Sequence, residues 1–228
     1  RITSERQVES RVSGEPSRGT AKTLLVSEHM RSNATGDQRF QAVAKLSPKM
    51  LVETIQSLDL VGQGNDRMIL PDLFLALAQK EPSRLFEMLY SLPGGYYKTA
   101  ISQSFPYLAE VSPEFLESYV LNTEFKGERD RWMMLGACEV LGKASPDRAL
   151  DFFERMSHSL KQDSLGTTLL KQAASEKPDL VVDFLVQKRN EAYFPSLFRD
   201  VLYTILVDDP NKALGLASSY PEVQDTRL

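Results

Sequence analysis

Cysteine occurs once in the 228 residues, at Cys138, so no intrachain disulfide framework holds this fold. Histidine occurs twice, at His29 and His158, and no His, Cys and carboxylate cluster shows the spacing of metal ligands. No apolar run approaches the roughly 18 residues of a membrane span, which excludes membrane insertion. No run of Lys or Arg stands anywhere in the chain, and its formal net charge is −4. That balance argues against nucleic acid as a partner, because such binding needs an excess of cations over a surface. Alternating runs of Val, Ile and Thr are missing too, which removes the signature of a sheet. The chain opens on Arg1 rather than Met, so a processed or trimmed fragment is expected, and the lack of a signal peptide excludes nothing. A single Cys fits a cytoplasmic protein or an exported one without disulfides. The compartment stays open.

What the chain does have is proline at a fixed period. Six prolines share one context: Ser47-Pro48, Glu81-Pro82, Ser112-Pro113, Ser145-Pro146, Lys177-Pro178 and Asp209-Pro210, separated by 34, 31, 33, 32 and 32 residues. Proline suits the first turn of a helix, where its missing N–H has no partner to lose. Ser or Asp before it is expected to cap the helix at Ser47, Ser112, Ser145 and Asp209. Glu114, Asp147 and Asp179 follow directly, near the positive end of the helix dipole.

Three residues after the prolines stand Leu51, Leu85, Leu116, Ala149, Val181 and Ala213. Seven after stand Ile55, Leu89, Val120, Phe153, Leu185 and Ala217. All twelve are apolar, at the i, i+4 spacing that stacks side chains on one helix face. With 42% apolar residues, chance yields this roughly 3 times in 100,000, and a hundredfold discount for the choice of phase still leaves a signal.

A second helix precedes each proline. Four residues back stand Ala78, Ala109, Gly142, Ala174 and Leu206, mostly small enough for close helix approach. Eight back stand Phe74, Phe105, Cys138, Leu170 and Leu202, and thirteen back Ile69, Ala100, Met133, Leu165 and Leu197. Turn signals separate the helices at Gly62-Gln63-Gly64, Pro93-Gly94-Gly95, Lys126-Gly127 and Asn190-Glu191. The expected fold is all-α: an α-α superhelix, or solenoid, of about five to six helix-turn-helix repeats of 31–34 residues.

The expected organisation is a polar tail or linker over 1–16, a degenerate N-terminal helix pair over 17–46 with Asp37 as a cap, and the repeat domain over 47–228. Its units start near 47, 81, 112, 145, 177 and 209. The period and the piece Asp209-Pro210-Asn211-Lys212-Ala213-Leu214 resemble the tetratricopeptide repeat and its HEAT-like relatives. The family's Trp, Leu-Gly and Tyr positions are not filled in register, and the units from Ser145 and Lys177 look like a looser class of bacterial tandem helical repeats. The resemblance spans residues 47–228 and implies an interaction scaffold without a substrate.

No residue is assigned to catalysis, to a cofactor or to a metal. Cys138 sits at a core position, His158 and His29 read as residues near helix C-termini, and Asp209 of the Asp208-Asp209 pair reads as a cap. Gly62-Gln63-Gly64 lacks the third glycine and the preceding strand of a dinucleotide site. Pro106 falls inside a second helix and is expected to kink it.

Aromatic and Arg side chains dominate binding hot spots. Trp132 with the nearby Arg129 and Arg131, and Tyr107, Tyr203 and Tyr97 off the apolar register, form the expected protein-binding set. The competing expectation is that these rings pack between repeats. By elimination, the expected function is a non-catalytic scaffold for a protein or peptide. The alternatives are an α-helical hydrolase or lyase with a pocket between repeats, and a structural or regulatory segment of a larger protein.

Overall fold

Proline opens a helix at all six of the predicted steps. The computed structural model describes residues 36–58 and 69–220, and its regular elements there are all α-helices. They are α1 (Gly36–Ala44), α2 (Pro48–Ser57), α3 (Leu70–Lys80), α4 (Pro82–Ser91), α5 (Tyr96–Val111) and α6 (Pro113–Asn122). After these come α7 (Glu128–Ala144), α8 (Pro146–Arg155), α9 (His158–Gln162), α10 (Ser164–Glu176), α11 (Pro178–Gln187), α12 (Phe194–Asp208) and α13 (Pro210–Ser219). The turn signals at 62–64, the 1–16 tail and His29 lie outside the described residues.

The chain divides into two compact units, Arg1–Leu73 and Phe74–Leu228. In the first, α2 buries Leu51 and Ile55, and α1 buries Val43. In the second, the long helices α5, α7, α10 and α12 pack one against the next, and α6, α8, α11 and α13 flank them. Of the twelve apolar positions three and seven after the prolines, only Ala217 is not fully buried. The residues eight and thirteen before the last five prolines are all buried, as are Ala78, Ala109, Gly142 and Ala174 four before; Leu206 is exposed, and Phe40, eight before Pro48, is half-buried. Each fully buried Leu, Val or Phe contributes about 1.5–3 kcal/mol of transfer free energy, so this register carries the fold. Between α4 and α5, Gly94 takes φ +53°, a left-handed conformation that explains a glycine there.

Local chemistry departs from expectation at several points. Ser47 accepts from the Met50 amide at 3.3 Å and Asp209 from the Lys212 amide at 3.0 Å, as expected of caps. Ser112 and Ser145 make no cap hydrogen bond. Their backbones sit at φ −149° and −152°, close to the −140° of Asp209 and far from the −68° of Ser47. From that geometry the longer Asp side chain reaches the amide and the short Ser does not. Asp209→Ala is therefore expected to lose about 1 kcal/mol and Ser145→Ala close to nothing, read from urea midpoints.

His158 does not end a helix. Ser157 accepts from the Leu160 amide at 3.4 Å and so starts a new short helix, with His158 its exposed first residue. Asp37 lies inside the first turn of α1 rather than before it. Pro106 lies inside α5, which continues past it to Val111.

The acidic residues after the prolines do more than face a dipole. Glu114 pairs with Arg148 at 3.5 Å, Asp147 with Lys177 at 2.7 Å, and Asp179 with Lys212 at 2.5 Å, each linking one proline-led helix to the next pair. The Lys177 ammonium holds the Asp147 carboxyl below its ordinary value. Such exposed pairs stabilise little individually. Their repetition at one register is the more informative fact.

Candidate functional site

The sequence-predicted aromatic and arginine set centres on the first turns of α7. Gly127 precedes it in extended backbone without a side-chain cap, and Glu128 to Trp132 project around the helix start. Arg129 turns toward α4, whose last carbonyls have no partner within their own helix. Its guanidinium donates to the carbonyls of Leu89 at 3.0 Å, Leu92 at 2.9 Å and Tyr90. It also lies over the ring of Tyr97, 5.0 Å from the centroid. Tyr97 is buried, so this pair closes one helix onto another rather than facing a partner.

Asp130, the next residue, is nearly buried. Its Oδ1 accepts from the Tyr90 hydroxyl at 2.8 Å and its Oδ2 from the Lys126 amide at 2.9 Å. Tyr90 in turn meets the Tyr119 hydroxyl at 3.0 Å, and Tyr119 reaches the Met133 sulfur at 3.7 Å. Burial raises the phenol pKa of both tyrosines, far above the ordinary value at Tyr119, so both stay protonated. Beside this network opens a cleft of about 580 Å³, lined by Tyr90, Asn122, Thr123, Lys126, Arg129 and Asp130 among others.

Trp132 stands on another side of α7 and is 41% exposed. Its indole N–H donates to Glu128 at 3.2 Å, and the Lys98 ammonium lies 4.0 Å from the ring centroid. Arg131 donates to Asp163 at 3.3 Å and to the Ser164 hydroxyl at 2.9 Å, tying α7 to α10. These contacts make a fixed ledge of alternating charge around an exposed indole. Tyr107 is half-buried on α5 and Tyr203 exposed on α12, outside the lining of this cleft.

Two of the charged groups that line the cleft are already engaged, whereas Glu124 and Lys126, which line it too, are exposed and stand 3.9 Å apart. Both Asp130 oxygens accept bonds, and Arg129 is committed to three carbonyls. A general base needs a carboxylate or imidazole free to take a proton at the reacting atom. Cys138 is fully buried, and burial pushes its thiol up to about 12, which suits packing rather than nucleophilic attack. Among the described residues no group of three or more His, Cys, Asp or Glu is placed to hold a metal ion. No helix among them is long and apolar enough to cross a membrane.

Sequence reasoning missed Asp130, Tyr90, Tyr119 and a second buried carboxylate, Glu117, held by Arg148 and Arg155. For Glu117 a signal existed. Four residues after the other prolines of this unit stand Phe86, Leu150, Val182 and Leu214, so a Glu among them marks an ion pair in a buried position. Asp130 gave no such sign, because Glu-Arg-Asp-Arg reads as a solvated run.

No family model matches the chain, and neither a curated protein nor a solved structure matches it.

Proposed function

We propose that the chain is a non-catalytic scaffold that holds a protein or peptide along an α-α superhelix of five to six helix-turn-helix repeats. The recurring burial three and seven residues after the prolines, at all but Ala217, and eight and thirteen residues before the last five of them supports the repeat reading. So does the ion pair that each proline-led helix from α6 to α11 sends to its successor. A stack of such pairs exposes one extended helical surface, the kind that repeat proteins use for binding.

The observation that carries the binding reading is Trp132. An indole 41% in solvent, held by Lys98 and Glu128 with its N–H already satisfied, is pre-organised at little further entropic cost. Peptides selected by display against the full chain test the reading. They are expected to bind with Kd values of about micromolar order. Trp132→Ala is expected to weaken them about tenfold with the melting temperature unchanged, roughly 1.4 kcal/mol. Selected peptides that bind the variant equally well would remove Trp132 from the surface, and a failed selection would remove the surface itself.

A further inference from the structure

We draw no further inference here: the strongest candidate, the exposed apolar surface patch of Tyr203, Leu206, Val207 and Leu214 on α12 and α13, lies beside Asp200, Asp208 and Asp209, and nothing in the structure shows what covers it.

Discussion

With Arg148 and Arg155 both replaced by Met, the chain is expected to lose about 4 kcal/mol of unfolding free energy, while Glu117→Leu alone changes it by about 1 kcal/mol or less. The asymmetry follows from where the charges sit. The Glu117 side chain is 3% exposed, and Arg148 and Arg155 are 41% and 51% exposed. Arg148 Nε meets Oε1 at 2.5 Å, and the Arg155 guanidinium meets Oε2. Removing both arginines strands a carboxylate in the interior with no counter-charge. Removing the carboxylate frees two guanidiniums that can turn to water, and Leu suits a position where the neighbouring helices carry Phe86, Leu150 and Val182. Urea unfolding of the two variants checks this. Losses of equal size would show that the interior position of Glu117 is not what makes the cluster matter.

The same cluster shows how far the sequence could be read. Periodicity is a property of one helix, and it located the buried faces from Leu51 to Ala213 because each face repeats every turn. Polar partnerships are properties of two helices 30 to 40 residues apart, and no local pattern encodes them. Arg129 and Arg131 thus read as flanks of an exposed Trp132, although Arg129 closes the end of α4 and Arg131 binds α10. Caps were legible only by residue type. Whether Ser145 reaches an amide depends on its backbone angles, which the Ser-Pro step does not fix. His158 failed for a related reason, since the Ser157 hydroxyl that starts α9 looks like any loop serine in sequence. Trp132 could be singled out from its residue type and register, whereas the buried network of Asp130, Tyr90 and Tyr119 was invisible.

Gly142 is where the small-residue register makes its strongest demand. It shares its position with Ala78, Ala109 and Ala174, all buried with a methyl in place. At Gly142 a methyl does not fit. A Cβ there would stand 2.4 Å from the Leu169 carbonyl oxygen, 2.8 Å from the Gln172 Cβ and 3.2 Å from the Ala173 nitrogen. Two of those atoms are backbone, so no rotamer change relieves the clash and α7 must move away from α10. That separation loosens the packing of Leu141, Leu169 and Ala173 along the joint. Gly142→Ala is therefore expected to destabilise by about 3 kcal/mol, at the upper end for overpacking. Helix propensity alone pushes the other way, favouring Ala by about 1 kcal/mol. Gly215 in α13 separates the two effects, because a Cβ there would meet nothing within 4 Å. Gly215→Ala is expected to stabilise by about 0.5–1 kcal/mol. If both variants gain stability in the same thermal and urea titrations, the close approach of α7 and α10 at Gly142 is wrong. If only Gly215→Ala gains, the small residue four positions before the proline is a packing requirement.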